Sequence, residues 1–284
     1  MSRFITAALL VIACAPLAAA AEDRVARLAS GIEGGTYHDV VARQLNEKVE
    51  GWRFENRATR GSTDNLDLLS TSEVELAITQ SDVFASRILE EPEVFGDLVV
   101  LGGISEECVF VARRKEDGID GFVDLSKPVG ERAAIVNVGP RQTGMAESWN
   151  YICALMPEQA DADLDNASGV EALERLATGD VEAVGWVTAP SNPDHVLTKT
   201  VRDDARFDFV ALDDERLESK LTDGMRVYQI RRVPIPGTAG KRSVETVCMT
   251  SLLVVRPDAD PDLVYAISVA LFDHEKKTVT EPPR

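Results

Sequence analysis

Residues 24–37, RVARLASGIEGGTY, join a short strand-like run to a glycine-rich turn, after which an amphipathic helix begins. The run at 24–30 alternates apolar and polar residues with a period of two, which is typical of a half-buried strand. From 36 to 49 the apolar side chains recur at the spacing of one helix face. A strand that leads through a Gly-Gly turn into a helix is typical of an open α/β sheet. Such sheets bind ligands at the carboxyl ends of their strands.

The same order of strand, turn and helix recurs along the chain and indicates parallel strands. Four further helices are expected. Ser62 would cap the first, the second would follow the turn at 139–144, and Ser168 with Glu171 would form a capping box for the third. The fourth would begin at Asp260. Two successive α/β units, with one strand and one helix left over, predict two lobes between which the chain crosses and returns. Further strand-like runs lie at 52–54, 75–79, 98–104, 108–112, 133–138, 181–187, 207–212 and 247–255.

The N-terminal stretch has the three parts of a secretory signal peptide, predicted to end at about residue 21. Arg3 is followed by an apolar run at 4–13 and then by an alanine-rich end. That run is shorter than the roughly 20 residues that a spanning helix requires. Ordinary cleavage after the alanines is expected, and the alternative is a lipoprotein anchored at Cys14. The mature chain is therefore expected to be exported.

The chain of 284 residues carries a formal net charge of −18. Its length suffices for one large or two ordinary α/β domains. A surface this acidic repels phosphate backbones, so we expect no nucleic-acid partner. An anionic ligand would have to be captured by local hydrogen-bond donors.

Cysteine and histidine are too sparse and scattered to predict a metal site or a bound cofactor. Beyond the leader, Cys108, Cys153 and Cys248 remain. They are either small buried side chains or include a Cys108–Cys248 bridge, which the spacing leaves open. No G-x-S-x-G elbow, phosphate loop or dinucleotide fingerprint occurs, so we expect a binding protein and not an enzyme.

Glycine turns at strand ends, followed by the free amides of helix N-termini, are candidate anion sites. Arg141 could grip a carboxylate with two parallel hydrogen bonds, or it could form a surface ion pair. Trp186 could form a wall of the site or pack in the core. Glu106 and Glu107 are expected to be solvated. The predicted ligand-binding residues are Gly34, Gly35, Thr36, Tyr37, Ser62, Gln80, Ser81, Asp82, Gly139, Arg141, Thr143, Gly144, Trp186 and Thr188.

The motifs GGTYHDVVARQLNE, ATRGSTDNLDLL, ELAITQSDV, VNVGPRQTG and DLVYAISVALFDH resemble, in this order, those of the TAXI-type solute receptors of TRAP transporters. The resemblance implies an α/β, two-lobed periplasmic binding protein fold, type II-like, with a hinge between the lobes. Its implied function is delivery of a small organic acid, glutamate-like or a 2-oxo acid or dicarboxylate, to a TRAP permease in the membrane. The alternative is a ligand-sensing subunit of the same fold without a transport role. Lobe I would comprise 22–112, lobe II 113–227, and 228–284 would return to lobe I.

Overall fold

The structure is a computed structural model that describes residues 24–33, 36–119, 121–190, 192, 194–218, 226–235 and 237–272. The predicted signal peptide lies outside these described residues. The strands are β1 (Arg24–Ala29), β2 (Trp52–Arg57), β3 (Leu76–Gln80), β4 (Val99–Arg114), β5 (Ile135–Asn137), β6 (Asp163–Asp165), β7 (Ala183–Thr188), β8 (Phe207–Phe209), β9 (Gln229–Pro234) and β10 (Ser243–Val255).

The α-helices are α1 (Ala42–Lys48), α2 (Ser62–Ser70), α3 (Ser81–Glu90), α4 (Pro92–Phe95), α5 (Gly144–Leu155), α6 (Gly169–Thr178), α7 (Val196–Asp203) and α8 (Pro261–Phe272). A π-helical turn, Thr36–Val41, precedes α1 where one continuous α-helix is predicted. Short 3-10 helices occupy Lys115–Asp117, Phe122–Ser126, Pro157–Asp161 and Glu215–Leu217. Over the described ranges, none of the helices combines the length and apolarity needed to span a bilayer.

Two parallel parts of one sheet are joined by two long antiparallel strands. The strand order is β2-β1-β3-β10-β4-β7-β5-β6, with β8 paired to β4 and β9 to β10. β1 runs parallel to β2 and β3, and β5 runs parallel to β6 and β7. The chain crosses from the first part to the second on β4 and returns on β10, which confirms the predicted two-lobed α/β architecture. The lobe boundaries at 112 and 227 stay predictions.

β4 is one strand of 16 residues, whereas the sequence predicts two runs separated at 105–107. The polar residues Ser105, Glu106 and Glu107 do not form a turn, because each is paired with a residue of β10. Irregularities in that pairing after Ser251 and after Leu253 let the two strands bend, as bulges do. The polar stretch therefore belongs to the connection between the two parts of the sheet.

Apolar side chains cover both faces of each part of the sheet, which gives the three layers of an open α/β fold. In the first part, Leu45 and Ile267 pack on one face, and Leu66 and Phe84 pack on the other. In the second part, separate clusters form around Trp149 and around the stacked rings of β4 and β7. Because each part has its own core, the space between them is free to form a cleft.

Two of the predicted helix caps differ in the structure. Ser62 is the first residue of α2 and not its cap, and its Oγ accepts a hydrogen bond from the Gln80 amide at 3.1 Å. Ser168 stands at the N-cap of α6 but makes no side-chain cap, so the predicted capping box with Glu171 is wrong. The start of α8 at Pro261 agrees with the prediction. There Asp260 Oδ1 accepts a hydrogen bond from the Asp262 amide at 2.9 Å.

Cys108 of β4 and Cys248 of β10 lie directly opposite each other and form a disulfide. The pairing that the sequence leaves open is thus formed where the two long strands run side by side. These two sulfurs also lie near a carboxylate oxygen of Glu106. Since the sulfurs are bonded to each other, this group offers no thiolate to a metal ion. The thiol of Cys153 is free, and burial raises its pKa to about 11.

Candidate functional site

A cleft of about 510 Å³ lies where the two parts of the sheet face each other. On the first part, its walls come from the ends of β1 and β3 and from the start of α2. On the second part, they come from the ends of β5 and β7 and from the start of α5. The cleft therefore lies at the carboxyl ends of the parallel strands, which is the position expected for a ligand in an open α/β sheet.

Two helix N-termini, one from each part of the sheet, meet in this cleft. A Cβ atom placed on Gly61, the N-cap of α2, would be 3.6 Å from the carbonyl oxygen of Gln142 and 3.9 Å from the Gly144 nitrogen. Gly61 has a φ of 149°, in the range that favours glycine. The first amides of a helix have no acceptor within the helix, and the helix dipole makes this end positive. The two helix N-termini together form one end of the cleft that is rich in hydrogen-bond donors and suited to binding an anion.

The side chain of Arg60 also lines the cleft. Its Nε and Nη2 are each 2.7 Å from a carboxylate oxygen of Asp64. This ion pair lowers the pKa of the Asp64 carboxyl, chiefly through the hydrogen bond from Arg60. The guanidinium is therefore already paired with Asp64, and the first backbone amides of α2 and α5 are further hydrogen-bond donors at this end of the cleft.

Gln80 connects the floor of the cleft to both parts of the sheet. Its Nε2 lies 3.3 Å from the sulfur of Met249, and its Oε1 packs against Gly144 so closely that no Cβ fits there without displacing it. A side chain at the start of α5 would therefore displace the amide group of Gln80.

Tyr37 and Glu107 form a second polar centre in the cleft lining. Tyr37 Oη lies 2.5 Å from Glu107 Oε2 and 2.9 Å from Ser251 Oγ. Burial raises the pKa of Glu107 to about 7, and the nearby charge of Asp82 adds to this shift. Burial, followed by the charge of Glu107, raises the pKa of Tyr37 well above its ordinary value. Glu107 is therefore the acidic group of the cleft that titrates near neutral pH.

Trp186 both lines the cleft and packs in the core. Its ring stacks on Phe110 at 6.0 Å between centroids and on His195 at 6.3 Å, and its Nε1 donates to Thr198 Oγ1 at 3.0 Å. Only 4% of the residue is exposed, so most of its surface serves packing. Burial lowers the pKa of His195, which favours the neutral ring beside the cleft.

Ser81 and Asp82 lie beneath the cleft and do not line it. Asp82 is fully buried, and its Oδ2 accepts hydrogen bonds from Ser148 at 2.5 Å and from Tyr228 at 2.7 Å. The Ser81 hydroxyl donates to the carbonyl oxygen of Val227 at 3.0 Å. These bonds link α3 of the first part to α5 and to the segment before β9. Burial raises the pKa of Asp82 despite its donors.

Eight of the predicted ligand-binding residues line the cleft, and their contact with a ligand stays a prediction. Gly34 and Gly35 fall outside the described residues, and Thr36 begins the π-helical turn. Arg141 is exposed on the turn before α5 and is not among the residues that line the cleft. Its role as a carboxylate grip also stays a prediction. The eight are Tyr37, Ser62, Gln80, Gly139, Thr143, Gly144, Trp186 and Thr188.

The structure adds cleft residues that the sequence analysis missed, above all Glu107. The expectation that it is solvated is wrong, because it is partly buried and bonded to Tyr37. No local signal distinguishes it from Glu106, because residues on both faces of β4 at 108–112 are buried. The others, including Ser30, Asn137 and His195, carry no pattern that distinguishes them from structural residues.

Two α/β parts, two crossing strands and a cleft at the strand ends define a two-lobed fold of the periplasmic binding protein type. The chain belongs to the NMT1-like family, whose model matches residues 28–282. No curated protein is similar to it in sequence.

Solved structures with this fold are distant in sequence. YhfZ from Shigella flexneri has a TM-score of 0.53 at 14% identity, covering 88% of this chain and 86% of that chain. XAC2383 from Xanthomonas citri, bound to ATP, has a TM-score of 0.52 at 11% identity, covering 88% and 83%. The GluR0 ligand-binding core from Nostoc punctiforme, in complex with L-glutamate, has a TM-score of 0.51 at 10% identity, covering 88% and 94%. These similarities show the fold.

Proposed function

We propose that this protein is an extracytoplasmic solute-binding receptor that delivers a small organic acid, glutamate-like or a 2-oxo acid or dicarboxylate, to a TRAP-type membrane permease. The observation that carries the proposal is the convergence of two helix N-termini, one from each lobe, in a cleft of about 510 Å³. A carboxylate at this point would accept hydrogen bonds from both lobes at once and would hold them together.

The acidity of the chain supports capture by local donors. With a net charge of −18, the overall field does not attract an anion, so the affinity must come from groups inside the cleft. A micromolar affinity requires only about −8 kcal/mol. A few charge-assisted hydrogen bonds in a cleft that excludes water can provide this free energy.

The permease partner rests on the resemblance of the motifs to TAXI-type receptors. The type of ligand is also supported by the GluR0 core, which has this fold and is in complex with L-glutamate. Export is proposed from the leader sequence, and a periplasmic location from the resemblance to TAXI-type receptors. Closure of the two lobes on the ligand would then create the surface that the permease recognises.

Binding without catalysis is proposed because two aliphatic hydroxyls that line the cleft, those of Ser30 and Thr143, have no general base beside them. Ser30 Oγ bonds to Asn56 Oδ1, and Thr143 Oγ1 donates to the Pro140 carbonyl oxygen. A hydroxyl nucleophile requires an adjacent general base. Within the ranges that the structure covers, neither of these hydroxyls is bonded to a histidine or a carboxylate.

The test is a thermal-shift screen of the mature protein against organic acids and amino acids. A ligand at 100 times its dissociation constant should raise the unfolding free energy by about 2.7 kcal/mol. Small-angle scattering with that ligand should give a smaller radius of gyration, because the lobes close. If no compound stabilises the protein at millimolar concentration, the proposed function fails.

A further inference from the structure

Glu107 is a carboxylate in the cleft that lacks a cationic partner in the described part of the chain. Its Oε2 is 2.5 Å from Tyr37 Oη, and no donor among the described residues reaches Oε1. Its sequence neighbour Glu106, which does not line the cleft, is paired with Arg231 at 2.5 Å. Glu106, outside the cleft, is therefore neutralised by an arginine, whereas Glu107, inside the cleft, has no cation beside it among the described residues.

The surroundings of Glu107 favour a cation. Asp82 lies below it as a second buried carboxyl, and its charge is one of the causes that raise the pKa of Glu107. The residues of β10 beside it, Met249 and Ser251, are uncharged. Within the part of the chain that the structure describes, Tyr37 from the π-helical turn and Asp82 from α3 are therefore the titratable groups that interact with Glu107 from neighbouring elements. A ligand carboxylate at this point would meet like charges, whereas an ammonium group would be attracted by both carboxyls.

The amide donors of the same cleft stand elsewhere, at the starts of α2 and α5. A ligand with one carboxylate for those amides and one positive amino group for Glu107 would satisfy both centres. We infer that Glu107 binds the amino group of the ligand, so that this receptor selects an amino acid over the 2-oxo acid of the same skeleton. This inference rests on the proposed function, because it assumes that the cleft is the ligand site.

The direct test compares matched ligands by calorimetric titration of the mature protein. The probes are L-glutamate with 2-oxoglutarate, L-leucine with 4-methyl-2-oxopentanoate, and L-alanine with pyruvate. For at least one pair, the wild-type protein should bind the amino acid at least about 30-fold more tightly than the 2-oxo analogue. The 2-oxo analogue has no ammonium group, so it would leave the buried carboxylate of Glu107 unpaired. Tighter binding of the 2-oxo acid in every pair that binds would overturn the inference and leave the proposed function intact. Absence of binding by all probes in this set and in the wider screen would remove the proposed function, and the inference with it.

Glu107→Gln keeps the shape of the side chain and removes its charge. Affinity for the amino acid should fall about 30-fold or more, while affinity for the 2-oxo acid should be unchanged or higher. Glu106→Gln is the matched control, and it should bind both ligands as the wild type does. Equal affinity of Glu107→Gln and wild type for the amino acid would contradict the assignment, provided that the variant melts as one cooperative transition.

The pH dependence separates an ammonium partner from a carboxylate held by protonated Glu107. If Glu107 must be ionised to bind, affinity for the amino acid should rise between about pH 6 and about pH 8 and should change little with pH in Glu107→Gln. Affinity that falls over the same interval would show that protonated Glu107 donates to a ligand oxygen, and it would overturn the inference.

Discussion

Replacing Tyr228 with phenylalanine should destabilise the protein through the buried carboxylate of Asp82. The Tyr228 hydroxyl is 2.7 Å from Asp82 Oδ2, and Asp82 is fully buried. The phenylalanine ring would keep the edge-to-face packing on Tyr151, whose centroid lies 5.5 Å away, so little packing would be lost. A hydrogen bond to a charged group contributes about 1.5–3 kcal/mol. We therefore expect the unfolding free energy of Tyr228→Phe to fall by about 2 kcal/mol at neutral pH.

Urea unfolding followed by tryptophan fluorescence measures this change, with the denaturant slope expected to be unaltered. Tyr265→Phe is the matched control, because that side chain is 72% exposed, and it should change the unfolding free energy by less than about 0.5 kcal/mol. The donated bond favours ionised Asp82, so the cost of Tyr228→Phe should shrink once acid protonates this group. A cost below about 0.5 kcal/mol at neutral pH would refute the view that this hydrogen bond stabilises the buried carboxyl of Asp82.

Three further predictions concern the acidic group of the cleft, the disulfide and the leader. The pKa of Glu107 is raised from 4.5 to about 7, so the folded state favours its protonated form. The resulting contribution to the unfolding free energy is complete at low pH and is lost as pH rises through about 7. Glu107→Gln should therefore raise the unfolding free energy near pH 8 by up to about 3 kcal/mol and change it little near pH 4, as urea midpoints across this range would show. Thiol labelling with intact-mass analysis should find two more thiols after reduction, and replacing Cys108 and Cys248 together by serine should cost about 2–5 kcal/mol in urea unfolding. Mass spectrometry of exported protein should find an N-terminus at Ala21 or Glu22, and a lipid-modified N-terminal cysteine would contradict this.

Local patterns were sufficient to predict most of the α/β units. The period of two at β1 and the Asp-Pro start of α8 are signals within a few residues, and the structure has both elements there. The crossing from one lobe to the other also follows from the order of these units. Each of these features depends on sequence spacing and backbone chemistry, which a single chain displays.

The central strand could not be predicted from its own residues. Polar residues at 105–107 interrupt the apolar pattern of β4, and nothing local distinguishes a strand between two lobes from a turn. The partner that continues the backbone pairing, β10, is distant in sequence. The position of Glu107 in the cleft is a consequence of that long-range pairing.

The candidate site was predictable as a set of strand ends but not as a set of side chains. Glycine turns correctly indicated where the cleft lies, since Gly139 and Gly144 both line it. They did not indicate that Asp82 lies beneath the cleft or that Arg141 is exposed outside it. Side-chain direction depends on contacts between the lobes, which sequence spacing does not contain.

The most direct test of the binding site is a calorimetric comparison of Thr143→Asp with Thr143→Asn, using the organic acid found in the screen. Thr143 is the N-cap of α5 and lines the cleft, and aspartate and asparagine are both favourable caps, so both variants should fold as the wild type does. Only aspartate places a negative charge beside the converging amides. We predict that Thr143→Asp weakens binding about tenfold or more and that Thr143→Asn stays within about threefold of wild type. Equal affinities of the two variants would contradict the claim that the two helix N-termini hold the carboxylate of the ligand.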